Sequence, residues 1–176
     1  MSEPISASGR RRLSDIDWTR WKPRDVATLL FIRDAERVLL IRKKRGLGAG
    51  KINGPGGRLE PGESPLQAAI REVEEEVCVT PLGVAARGTL SFEFTDGYTL
   101  HAHVFVASGF RGTPRETDEA IPLWHEVSAL PFHEMWADDA LWLPHVLLGR
   151  SVFGRFVFEG DAMLDHELRW ESAPSP

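Results

Sequence analysis

Only one cysteine occurs in the 176 residues, Cys78, so neither an intrachain disulfide nor an all-cysteine metal site is available. Long apolar runs are missing too. The longest nearly apolar stretch, residues 26–32, has seven residues, where a membrane-spanning helix needs about 20. Basic residues do not predominate: 21 Lys and Arg stand against 26 Asp and Glu, and the formal net charge is −5. That balance argues against a non-specific nucleic-acid binder, which carries a basic field. Lysine is scarce, 4 against 17 arginines, so any cationic patch is mostly guanidinium. There is no internal repeat and no low-complexity block. The composition, 42% hydrophobic and 27% charged, is that of one soluble globular domain.

Arg10-Arg11-Arg12 is followed by Leu13-Ser14-Asp15-Ile16-Asp17, not by the apolar stretch of a signal peptide, and Glu3, Asp15 and Asp17 weigh against a transit peptide. Residues 1–24 therefore read as an N-terminal extension, partly flexible, with Trp18 and Trp21 packing back onto the domain. Residues 25–170 read as the domain and 171–176 as a disordered tail. The expectation is a cytoplasmic monomer without nucleic-acid or membrane partners.

Residues 26–32 and 37–41 are short apolar runs separated by Arg33-Asp34-Ala35-Glu36, the pattern of a β-hairpin. Residues 46–57 hold six glycines and one proline, a loop whose backbone can approach a ligand closely. Ser64, Pro65 and Gln67 then supply an N-cap, a first-turn proline and a capping box. Leu66, Ala69, Ile70, Val73 and Val77 fall on one arc at about 100° per residue, predicting a single buried stripe. Thr80-Pro81 ends the segment. Strands are predicted over 82–94 and 98–107 around a Thr95-Asp96-Gly97 turn, over 121–127, and over 152–158 and 162–170 as a closing hairpin. A second helix is predicted over 140–148, with Pro144 shortening or bending it. Strands mixed with two separated helices specify an α/β layered domain with a mixed sheet.

Arg71-Glu72-Val73-Glu74-Glu75-Glu76 puts four carboxylates into five positions. On a helix Glu72, Glu75 and Glu76 share one arc, and Glu74 projects elsewhere. Like charges so spaced destabilise a helix by about 0.2–0.5 kcal/mol per pair. A hard cation such as Mg²⁺ or Mn²⁺ reverses that sign. For an isolated run of glutamates the commoner meaning is a solvated acidic face. Here Glu76 borders the apolar stripe, which places it at the edge of the core, and Gly56-Gly57 can offer bare backbone to a metal or phosphate.

The spacing Gly57-x5-Glu63-x7-Arg71-Glu72-Val73-x-Glu75-Glu76 resembles the Nudix box of hydrolases that cleave nucleoside diphosphates linked to another moiety. The resemblance implies a Nudix fold, an α/β/α sandwich with a mixed sheet and a loop–helix–loop catalytic motif. It implies that Glu72, Glu75 and Glu76 carry the metal, with the Gly57 carbonyl as a further ligand, and that Glu63 and Arg71 form a structural ion pair. An activated water then attacks phosphorus, with Glu72 and Glu75 both candidates for the base. Where the family has glycine this chain has Cys78. A non-glycine residue in a left-handed helix exit costs about 1–2 kcal/mol, so the turn is expected to be rebuilt. Cys78 itself reads as a small buried hydrophobe.

Beyond the box, Lys43 to Lys51, Asn53-Gly54, Phe92-Glu93-Phe94, Asp118-Glu119 and Met135-Trp136-Ala137-Asp138-Asp139 resemble the family's oxidised purine nucleoside triphosphatases. That branch hydrolyses nucleotides of the 8-oxo-dGTP and 2-oxo-dATP type to the monophosphate and pyrophosphate. By this resemblance Asn53, Trp136, Asp138 and Asp139 form the base pocket and Thr28 stands near the base. Lys43 contacts phosphate, and Glu119 is an extra metal-site carboxylate. Leu47 and Ile52 replace aromatic residues of the branch, which implies relaxed purine specificity. On the residues alone, tryptophan offers a stacking surface and adjacent carboxylates in a dry pocket can share a proton. A helix-capping role for the aspartates and a core role for Trp136 stay open beside that reading. So do other nucleoside triphosphates, dinucleoside polyphosphates, or a non-catalytic binding module. His101 and His103 read as cross-strand residues more readily than as a metal pair.

Overall fold

A computed structural model describes residues 10–172; the start of the expected leader and residues 173–176 of the expected tail lie outside the described residues. Strand β1 (Asp25–Asp34) turns at Ala35, φ 53°, into antiparallel β2 (Arg37–Lys43). The glycine loop leads into a two-residue β3 (Ile52–Asn53) and helix α1 (Pro65–Val77). Strands β4 (Thr80–Phe94) and β5 (Thr99–Arg111) form the long hairpin, and β6 (Ala120–Glu126) pairs with β2. Helix α2 (Asp139–Leu147) precedes the hairpin of β7 (Ser151–Glu159) and β8 (Ala162–Glu171). The sheet runs β3-β2-β1-β5-β4-β7-β8 with β6 on β2. The β1–β5 and β4–β7 pairings are parallel and the others antiparallel, so the sheet is mixed.

Alternate residues of each strand enter two cores. Leu30, Ile32, Leu39 and Ile41 pack under Ala69, Val73 and Val77 of α1. Phe31, Val38, Leu40 and Leu90 pack under Trp142, Leu143 and Val146 of α2. With a helix on each face, β1 is apolar on both sides, which is why it reads as a continuous run. Burying a side chain such as Phe31 stabilises the fold by about 1.5–3 kcal/mol.

The start of α1 follows the spacing. Ser64 Oγ accepts the Gln67 N–H at 3.2 Å, and the Gln67 side chain accepts the Ser64 N–H at 2.9 Å. The buried face differs from the predicted stripe: Ala68 and Glu76 are buried, while Leu66 is 43% exposed. The face is turned toward Glu76, whose carboxylate accepts the Gly56 N–H at 2.7 Å. The helix exit also differs. It is not rebuilt; Cys78 itself takes φ 64°, ψ 28°, and its N–H donates to the Glu74 carbonyl at 3.1 Å. Nor is Cys78 buried, because Val77 and Val79 on either side take the core positions.

Residues 10–24 lie against β4, β7 and β8. Trp21 Nε1 donates to Glu93 Oε2 at 2.8 Å, and the Arg11 guanidinium reaches Glu93 Oε1 at 2.7 Å. Trp18 packs tilted against Trp21, ring centroids 5.3 Å apart, and lies under the Arg155 guanidinium at 4.9 Å. Among the described residues no helix is long and apolar enough to cross a membrane.

Candidate active site

A cavity of about 190 Å³ opens where β1, the glycine loop and the start of α2 meet. Lys43, Gly56 and Gly57 line one side; Asn53, Trp136, Asp138 and Asp139 line the other. Phe94, Phe158 and Leu47 complete the walls.

Beside Gly56 and Gly57, α1 presents carboxylates of graded burial, none of which itself lines the cavity. Glu76 is 2% exposed, and desolvation pushes its pKa up to about 8, against the Gly56 N–H that favours the charged form. Lys43 stands close enough that its charge also favours ionised Glu76. Burial likewise raises Glu72, opposed by the Arg71 guanidinium. Glu75 is half exposed. Arg71 holds Glu63 through two hydrogen bonds, at 2.6 and 3.0 Å, and reaches Glu72 at 3.0 Å and Glu75 at 3.1 Å. That guanidinium, and not a shared centre, gathers Glu72 and Glu75, so among the described residues no three metal-ligating side chains form a ready cage. Glu119, paired with Arg45 Nη2 at 2.5 Å, adds negative charge beside Glu72 and Glu76.

These residues fit a divalent cation on two local observations. Glu76 is a buried carboxylate whose charged form the Gly56 N–H and Lys43 compensate only in part, the condition a cation corrects. Gly57 faces Glu72 without a side chain, and an added Cβ there would run into the Glu72 carboxylate. Thr28 N–H donates to the Gly57 carbonyl at 2.9 Å, which fixes that oxygen. The Thr28 hydroxyl points the same way, 3.5 Å from that carbonyl, so its polar contact is with the loop although the residue lines the cavity.

At the second side both aspartates are 2% exposed. Asp138 is the N-cap residue of α2 by position, yet its side chain makes no capping bond. Its Oδ2 accepts the Trp142 indole N–H at 2.8 Å instead. Asp139 Oδ2 accepts the Trp136 backbone N–H at 3.2 Å. Burial raises Asp138 to about 6; burial and then the Asp138 charge raise Asp139, against Lys51. The pair thus retains a proton well above the ordinary carboxylate range and offers a donor beside an acceptor. Trp136 stands edge-on to Phe94 and Phe158, with ring centroids 6.2 and 5.7 Å away. Asn53 Oδ1 accepts the Gly54 N–H at 2.8 Å, which leaves its amide NH₂ as a donor.

Sequence reasoning did not single out Phe94, Phe158 and Lys51 as individual site residues. The two phenylalanines are register partners on β4 and β7, so period-2 alternation identifies their shared face but not the cavity above it. Lys51 ends the Lys43 to Lys51 run that carries the resemblance, which assigns it no role of its own.

A mixed-sheet α/β/α sandwich whose cavity runs from Gly57 and Lys43, beside the α1 glutamates, to a protonatable aspartate pair has the layout of a small-molecule site. The NUDIX domain profile matches residues 22–146. The oxidized purine nucleoside triphosphate hydrolase of Danio rerio is 42% identical over 143 residues, 80% of this chain and 92% of that protein. The protein of the same name from Mus musculus is 38% identical over 144 residues, 81% of this chain and 92% of its own. A mutator MutT protein from Bacillus halodurans superposes with a TM-score of 0.73 at 26% identity, covering 86% of this chain and 99% of that one. The chain belongs to the Nudix family.

Proposed function

We propose that this Nudix protein hydrolyses oxidised purine nucleoside triphosphates, of the 8-oxo-dGTP and 2-oxo-dATP type, to the monophosphate and pyrophosphate. The observation that carries the substrate is the buried Asp138–Asp139 pair, placed in the same cavity as Gly57 and Lys43. Oxidation of a purine changes which ring atoms donate and which accept, and a carboxyl–carboxylate pair can pair with such an altered edge. Asn53 adds a donor, and Trp136, Phe94 and Phe158 give the ring apolar walls. Names shared by the fish and mouse relatives support the same substrate class.

Glu72, Glu75, Glu76, Glu119 and the Gly57 carbonyl are the groups that would hold the cation, Mg²⁺ in the first instance and Mn²⁺ as a substitute. A bound cation supplies charge neutralisation along the polyphosphate and a more acidic water. Glu72 or Glu75 takes the proton as water oxygen bonds to phosphorus, and the bond to pyrophosphate breaks. Lys43 meets the phosphates, and Arg71 with Glu63 braces the loop on α1. The protein acts as a cytoplasmic monomer on a small-molecule substrate, without nucleic acid or membrane.

Steady-state rates over a panel of oxidised and ordinary nucleotides, with ion-exchange separation of products, test this reading. The expected result is preference for the oxidised purines and release of pyrophosphate. Release of orthophosphate and a nucleoside diphosphate, or equal rates on pyrimidines, overturns it.

A further inference from the structure

The outer side of the base pocket is closed by a contact between two distant segments. Lys51 ends the glycine loop, and its ammonium lies 5.1 Å from the centre of the Trp136 ring. The same ammonium reaches Asp161 Oδ2, in the β7–β8 turn, at 3.0 Å. The loop itself is pressed on the indole: a Cβ on Gly48 would come within 2.9 Å of Trp136 Nε1. Lys51 is mostly covered, with 24% of its side chain exposed, whereas Asp161 is 72% exposed. The charged groups acting on Asp139 are Asp138 from the head of α2 and Lys51 from the loop.

We propose that Lys51, tethered by Asp161, is a positioning residue for purine selectivity. It holds Trp136 in its stacking plane and sets the donor–acceptor polarity of the Asp138–Asp139 pair. An ammonium over an indole face is attractive, so the ring is gripped from outside while a base occupies the inside. The positive charge opposes the burial and the Asp138 charge that raise Asp139, so it biases which carboxyl of the pair keeps the shared proton and thus the order of donor and acceptor along the pocket wall. This assignment rests on the substrate reading above, and part of its test is independent of that reading.

The experiment compares wild type with Lys51→Met, Lys51→Arg and Asp161→Asn, each shown to be folded by circular dichroism. The ratio of kcat/KM for 8-oxo-dGTP to that for 2-oxo-dATP is followed across pH, so effects common to the metal site cancel. Lys51→Met is expected to raise KM about 5-fold with kcat little changed, to alter that ratio, and to move its inflection to higher pH. Lys51→Arg restores all three, and Asp161→Asn has a smaller effect of the same sign. An unchanged ratio and inflection in folded Lys51→Met overturns the proposal. Carboxyl carbon NMR titration of Asp138 and Asp139 needs no substrate. If wild type turns over neither nucleotide, the substrate reading fails alone. An upward move of the aspartate titration in Lys51→Met still supports the charge role, and no move sinks it.

Discussion

The Trp142 indole N–H donates to Asp138 Oδ2 at 2.8 Å, one helical turn apart and fully inside the protein. Asp138 is thereby drawn away from the capping bond its position invites. Asp138→Asn and Asp139→Asn should each lower kcat/KM for oxidised purine triphosphates about 10- to 100-fold. A pyrimidine triphosphate should be hardly affected, because neither change reaches the carboxylates of α1. The ratio of the two rate constants checks this. An unchanged ratio removes the aspartates from base recognition.

The same pair sets a pH dependence of stability. Asp138 titrates at about 6 in the folded protein against an ordinary 3.8, so the folded state binds more protons than the unfolded chain in that window. Its stabilising share is fully present below the ordinary value and is lost as pH rises through about 6. Asp138→Asn should therefore be most harmful at pH 4 and least harmful at pH 8, as read by urea denaturation. A penalty independent of pH would contradict the burial argument.

Glu76 makes a second case of the same sign. Its pKa of about 8 means that, without a cation, stability falls as pH rises through 8. Glu76→Gln keeps an acceptor for the Gly56 N–H and removes the charge. In chelator above pH 8 its Tm should equal or exceed that of wild type, while turnover in Mg²⁺ drops about 100-fold. Wild type should lose activity in chelator and recover it with Mg²⁺. Near-normal turnover by folded Glu76→Gln would remove Glu76 from the metal set.

Cys78 occupies a left-handed position at φ 64°. Glycine there relieves about 1–2 kcal/mol of strain and costs about 0.5–1 kcal/mol through the unfolded chain. Cys78→Gly should be more stable by up to about 1.5 kcal/mol, and Cys78→Val less stable than wild type. Urea midpoints of the three proteins decide this, and a less stable Cys78→Gly would refute it.

Glu93 is 6% exposed and is satisfied by Arg11 and Trp21. Removing residues 1–24 takes both partners from this carboxylate, a loss of up to about 3–5 kcal/mol. Glu93→Gln in the shortened protein should recover part of that. If thermal melts show no loss on shortening, these contacts contribute nothing to the fold.

The sequence by itself determined what depends on neighbours along the chain. The capping box at Ser64 and Gln67, the period that places Glu72, Glu75 and Glu76 together, the turns of the hairpins and the apolar runs of a covered sheet are all local. Glycine spacing and the glutamate run were enough to announce the family's motif. Only the tertiary structure decided the depth of Glu76, since burial depends on which face of α1 the sheet and Gly56 take up. It also decided that Asp138 bonds Trp142 and does not cap α2, because local geometry permits both and the dry surroundings choose between them. The meeting of Lys51 with Asp161 across 110 positions has no local trace at all. Chain order carries no record of which distant segments the packing of the sheet brings side by side.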